Sequence, residues 1–132
     1  MTSEHRGSVH LAAGSFLDVS ADELVGISLG LDISRCSGIG LRLSGEHAIT
    51  DSGHAHDIRA RLANGGQRVF DAEVIRVSAE NSGNSASTTS LIARAAEVGA
   101  AHVLAVSDLD DLTTSIRAFS SLADVARNHG LD

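Results

Sequence analysis

Tryptophan and tyrosine are absent, and phenylalanine occurs only three times. A chain this poor in flat rings has no platform on which nucleic-acid bases would stack. Proline is missing too, so helices must start from Ser, Thr or Asp caps rather than from a proline in the first turn. The single cysteine, Cys36, excludes an internal disulfide and makes a reducing compartment the default. Ten scattered basic residues face seventeen acidic ones, for a net charge of −7. Such a balance does not neutralise a phosphate backbone. No apolar run reaches the roughly 18 residues of a membrane span. The polar start MTSEHRGS lacks the apolar segment of a signal peptide. The expectation is a cytoplasmic protein with neither nucleic acid nor membrane as partner.

What is present is a globular composition, and 132 residues suit one domain, residues 1–132, with a core of its own. The chain is organised around Gln67–Ser78, QRVFDAEVIRVS. Val69, Phe70, Val74, Ile75 and Val77 are what a strand covered on both faces holds. Glu73 interrupts them. A buried, unpaired carboxylate costs on the order of several kcal/mol. Glu73 therefore either reaches the open end of a sheet or meets a cation.

The remaining elements follow in order. Val9–Ala13 is a short apolar run broken by Gly14-Ser15. Ser20 and Glu23 form a capping box, and Leu24, Ile27 and Leu31 follow at helical spacing. Gly26 and Gly30 weaken that helix by about 1 kcal/mol each relative to alanine. Gly38–Leu43 is the second strand. His54–Ala63 is the second helix, with Ile58 and Leu62 on its apolar side, and Asn64-Gly65-Gly66 closes it in the left-handed manner. Ala79–Ser87 is a polar loop. Thr88, Thr89 or Ser90 caps a third helix that carries Leu91, Ile92, Ala95, Ala96 and Val98 and stops at Gly99. His102–Val106 is the fourth strand. A fourth helix from Asp110 or Asp111 shows Leu112, Ile116, Phe119, Leu122, Ala123 and Ala126 in register.

Strands begin near residues 8, 38, 68 and 102, so a strand–helix unit recurs every thirty-odd residues. Alternation of this kind means α/β, with a parallel sheet and right-handed crossovers. Polar residues gather just past the strands: Arg42 and Ser44, Glu73 and Arg76, Ser107 and Asp108. Ligands of parallel α/β folds bind at that end.

Each candidate has a functional and a structural reading. Glu73 binds substrate hydroxyls at the sheet mouth, or pairs with Arg42 on the next strand. Arg42 holds a phosphate or carboxylate through its fork, or makes that same ion pair. His10 contacts a sugar, or is a core histidine with a backbone partner. His54 and His56 stand at a helix start with no third ligand at a fixed spacing and read as solvated surface. His5, His47, His102 and His129 form no ligand set. Cys36 reads as a small buried residue. The Ser82-Gly83-Asn84-Ser85 loop reads as a linker, with a phosphate cradle at a helix start as the rival.

Three segments carry a family resemblance: GIGLRL, RVFDAEVIRVS and LIARAAEVGAAHVLAVSDLDDLTTSIRAFSSLADVARNHGL. Together they resemble the first half of sugar phosphate isomerase/epimerase proteins of the xylose-isomerase-like TIM-barrel superfamily, which also includes the type 2 apurinic endonucleases. The AAEVGAAHV turn and FSSLADVARNHGL are the most specific parts, and residues 8–131 are covered. The resemblance implies four βα units, half of a (β/α)8 TIM barrel. It implies a carbohydrate as small-molecule partner and a divalent metal in the family. That family's metal ligands and catalytic glutamates lie mostly on strands five to eight, outside this sequence. The chain departs from the pattern at Gly26 and Gly30, and in a long Asp32–Ser37 segment.

The expectation is an isomerase/epimerase-like protein, an incomplete barrel with little or no activity alone. Glu73, Arg42, His10 and Ser107 are its candidate substrate contacts, with no catalytic residue or metal ligand assigned. Two rivals remain. One is a non-catalytic half-barrel that homodimerises, or joins a second half-barrel, through its open sheet edges. The other is an open doubly wound domain that binds a nucleotide or phosphate at Ser82–Ser85.

Overall fold

A computed structural model of the chain describes residues 9–32 and 36–132. The polar start 1–8, with His5 and the expected onset of the first strand, and residues 33–35 of the long connection lie outside the described residues. Four strands form one sheet: β1 (His10–Leu11), β2 (Gly38–Arg42), β3 (Arg68–Val77) and β4 (His102–Ser107). Helices α1 (Ala21–Leu29), α2 (Ser52–Asn64), α3 (Ala86–Glu97) and α4 (Leu112–Asn128) alternate with them. All neighbouring strands are parallel, in the order β1-β2-β3-β4. A doubly wound sheet reverses its strand order partway through, as nucleotide-binding folds of that type do. The order here runs in sequence throughout, which corrects the doubly wound alternative.

Caps set the helix starts. Ser20 and Glu23 make the full capping box of α1, with Glu23 N–H donating to Ser20 Oγ at 3.2 Å and Ser20 N–H to Glu23 Oε2 at 2.9 Å. Asp51 caps α2 and Asp111 caps α4. The cap of α3 is Ser85, earlier than the Thr88–Ser90 expectation. Thr88 is spent otherwise: it is buried, and its hydroxyl donates to Ser82 O at 3.1 Å. Left-handed glycines close α2 at Gly66 and α3 at Gly99, where a side chain would be strained.

The core lies between the sheet and the helices. Ile39, Leu41, Val69, Ala72, Ile75 and Val77 meet Val25, Ile58, Leu62, Ile92 and Ala95, all nearly inaccessible. Two apolar stripes read from the sequence turn out otherwise. In α1, Leu24, Val25 and Ser28 face inward and Ile27 is exposed; in α4, Leu122 and Ala126 are buried while Leu112 and Ile116 stand in solvent. Periodicity shows an apolar stripe but not whether a neighbouring helix exists to cover it. No helix among the described residues is long and apolar enough to cross a membrane.

Candidate ligand pocket at the carboxyl rim

The sheet has a helix-covered face and an inner, open one. Strand alternation places Gly38, Gly40 and Arg42 on the inner face, because Ile39 and Leu41 go to the helices. The two glycines leave room. A Cβ at Gly38 would strike the Arg68 carbonyl, and one at Gly40 would collide with the Asp71 carboxylate and come within 3.2 Å of Glu73 Oε1. Glycines two apart on one strand signal close approach by neighbours, and this was the available clue to the carboxylates beside them.

Arg42 and Glu73 are laterally paired in the register of β2 and β3. They make no ion pair with each other within 4.0 Å. Both reach instead to the connection after β1. Arg42 donates to Ala13 O at 3.1 Å, Leu17 O at 3.1 Å and Phe16 O at 3.4 Å. Glu73 Oε1 accepts from Ala13 N–H at 3.0 Å. The stretch from the short 3₁₀ turn Ala13–Ser15 to Leu17 is thereby held from both polarities: carbonyls by a cation, an amide by an anion. Charge-assisted bonds of this kind are roughly twice as strong as neutral ones. The sequence offered a choice between ligand and ion pair; backbone groups of a loop, which no side-chain pattern displays, took both partners.

A pocket of about 450 Å³ opens where these groups meet, lined by Gly14, Leu17, Arg42, Ser44, Glu73 and Arg76. Arg76 pairs with Asp108 at 2.7 Å in an exposed contact, so the rim carries two cations and two carboxylates.

The other two candidates lie elsewhere. His10 sits on β1 at the opposite, amino end of the inner face. Its ring stacks on Phe70 at 3.9 Å between centroids, across the space Gly38 leaves, and Phe70 meets His102 edge-on at 4.9 Å. Burial, chiefly, and the nearby Arg68 lower the pKa of His10 from its usual 6.5, while Asp71 acts in the opposite sense. Ser107 points to the helix layer: its hydroxyl lies 2.9 Å from Ser115 Oγ and accepts from Leu109 N–H at 3.1 Å. The structure brings Arg42 and Glu73 together and places His10 and Ser107 apart from them.

Two polar clusters escaped the sequence reading. Ser28, Gln67 and Cys36 form a buried knot, in which Gln67 Nε2 donates to Ser28 O at 2.8 Å, the Ser28 and Gln67 side chains bond to each other, and Cys36 Sγ donates to Gly38 O at 3.3 Å. Asp22 at the start of α1 joins His54 Nε2 at 2.9 Å and Arg61 at 2.7 Å, tying α1 to α2. His56 is exposed and shares no ligand set with His54. Among the described residues no three His, Cys, Asp or Glu side chains converge to hold a metal ion. The Ser82–Ser85 loop is docked rather than loose: Gly83 packs so closely on α4 that a Cβ would strike Ala118 O.

No family model matches the chain, and no curated protein does. Among solved structures it is similar to a xylose isomerase domain protein from Planctomyces limnophilus, with a TM-score of 0.54 and 18% sequence identity. The match covers 94% of this chain and 51% of that one. The fold is half of a xylose-isomerase-like barrel. The chain thus spans about half the length of that protein, and at this identity the likeness is one of fold. The rim pocket lies where barrels of this architecture receive their ligands, outside the carboxyl ends of the strands.

Proposed function

We propose that the chain is a sugar isomerase/epimerase-like half-barrel whose rim pocket binds a small, polyhydroxylated, anionic molecule of the sugar phosphate class. The observation that carries this reading is the convergence of Arg42 and Glu73 over the 450 Å³ pocket at the carboxyl end of β2 and β3. A carboxylate accepts from sugar hydroxyls, and the Arg42 N–H groups not spent on the Ala13, Phe16 and Leu17 carbonyls donate to a phosphate. Ser44 adds a hydroxyl, and Arg76 a second cation. The roles are binding and orientation. Proton transfer next to a carbonyl needs an acid and a base within reach of one carbon. The pocket offers one carboxylate, Glu73, and that is already engaged with Ala13.

The reading is tested by calorimetric titration with a panel of aldose and ketose phosphates, alongside an aldose–ketose interconversion assay with Mn²⁺ or Mg²⁺. Expected are saturable binding that Glu73→Gln weakens at least tenfold, and no turnover by this chain alone. Absence of binding across the panel would remove the ligand reading, and robust turnover would overturn the non-catalytic one.

A further inference from the structure

Among the described residues, the exposed large apolar side chains follow a pattern. Val9, Leu17, Ile27 and Leu31 belong to the first βα unit, and Leu104, Leu112 and Ile116 to the last. None lies among the described residues from 36 to 103, which hold the two central units. Scattered singly, such residues need no explanation; sorted to the two ends of a sheet, they mark surfaces built for contact. Val9 is 59% exposed beside edge strand β1, and Leu104 is 45% exposed on edge strand β4. Ile116, 58% exposed, lies on α4, the helix of the same terminal unit as β4.

The β4 edge also shows what it accepts. Asp132 N–H donates to Ala101 O at 3.2 Å, and Val103 N–H donates to Asp132 O at 3.0 Å. That pair of bonds, straddling His102, is the rung of a parallel ladder. Beyond this rung β4 has no further strand beside it among the described residues, since it is the last in the sheet order. The outer edge of β4 is therefore in a conformation that takes a parallel strand.

We propose that a second copy of this chain covers both ends, giving a closed dimer. The argument rests on direction and number. All four strands run the same way, so a half-turn about an axis along the strands presents the β1–α1 end of each copy to the β4–α4 end of the other. Each new strand junction is parallel, as the Asp132 rung is. Both ends of both copies are covered at once, and no edge among the described strands is left over. A single added strand or helix would cover one end and leave its counterpart bare. This association goes beyond the ligand reading and does not depend on it.

The test is light scattering on the full chain after size exclusion, with sedimentation velocity over a concentration series. A discrete dimer is expected. With a formal charge of −7 on each copy, it should tighten as salt is raised, because screening removes repulsion. Ile116→Glu and Leu112→Glu, both at solvent-exposed positions, are expected to raise the dimer dissociation constant at least tenfold while circular dichroism stays unchanged. Leu104→Glu should do the same from the strand edge; if that variant unfolds, the two helix variants still decide. A monomer at high concentration, an open series of larger species, or a dimer indifferent to Ile116→Glu and Leu112→Glu would each overturn the proposal. Because none of these readouts involves a ligand, their failure is distinguishable from failure of the rim pocket.

Discussion

The two central βα units and the two terminal ones are built from the same kind of sequence but hold it differently. In the centre, Ile39, Ile58, Ile75 and Ile92 are completely buried. At the ends, Ile27 and Ile116 stand in solvent on helices of similar pattern. The same residue type is core or surface according to whether a neighbouring unit exists on that side. A repeating fold buries each unit against the next, so the first and last described units each have a side that no other described unit covers. The first unit is compensated in part. Arg42 and Glu73 extend from the central strands and fasten the loop after β1 by four hydrogen bonds. The rim pocket is a consequence of that fastening, since the loop supplies Gly14 and Leu17 to its wall.

This contrast is sharpened by removing one side chain at a time. Ile75→Ala, in the middle of the core, is expected to cost about 3–4 kcal/mol in chemical denaturation, the usual penalty for an emptied core site. The matching change at a terminal unit, Ile116→Ala, should stay within about 0.5 kcal/mol at concentrations where the protein is monomeric. Equal losses at the two sites would break the comparison.

Between those extremes lies the fastening itself. Arg42→Met should cost about 1.5–3 kcal/mol, as expected for hydrogen bonds to a charged group, because carbonyls of Ala13, Phe16 and Leu17 lose their donor together. Ser28→Ala, which strips the buried Gln67 side chain of a partner, should cost about 1–3 kcal/mol in the same assay. A loss near zero at Ser28 would mean that Gln67 finds water instead.

Smaller effects come from helix starts and from pH. Ser20→Ala removes the capping box of α1 and is expected to cost about 1 kcal/mol. His10 has a folded pKa below its usual 6.5, with burial as the leading cause. The unfolded imidazole therefore takes up its proton first as pH falls. The contribution of neutral His10 is fully present above that usual value and is lost as pH drops through it toward the lower folded one. A series of thermal melts between neutral and mildly acidic pH should show this slope in the wild type and less of it in His10→Phe. An identical slope in both would assign the effect to other groups.

Much of the architecture was legible because strand–helix alternation repeats at a near-constant spacing, and the strands begin at residues 10, 38, 68 and 102 as the period requires. The position of Glu73 at the sheet mouth followed from one carboxylate in an apolar strand. Its partner did not, because the competing groups are backbone atoms of a loop whose path depends on tertiary structure. Ser85 was passed over as the cap of α3 for a related reason. Thr88, Thr89 and Ser90 are equally good capping chemistry, and the Ser85 side chain, which accepts from Thr88 N–H, takes the cap one turn earlier. The exposed stripe of α4 was read as core because hydropathy records what a face prefers, not what meets it. Ser107 was grouped with the rim residues by its place after β4, yet the alternation of that strand turns it to Ser115.

The central claim is that the carboxylate on β3 reaches across β2 to hold the loop after β1. Residue-resolved amide hydrogen exchange reads this at one atom, the Ala13 N–H. The account predicts a protected Ala13 amide in the wild type. In Glu73→Gln it should exchange at least tenfold faster, with the amides of β2 and β3 little changed. An Ala13 amide that exchanges as fast as a free loop in both proteins would contradict it.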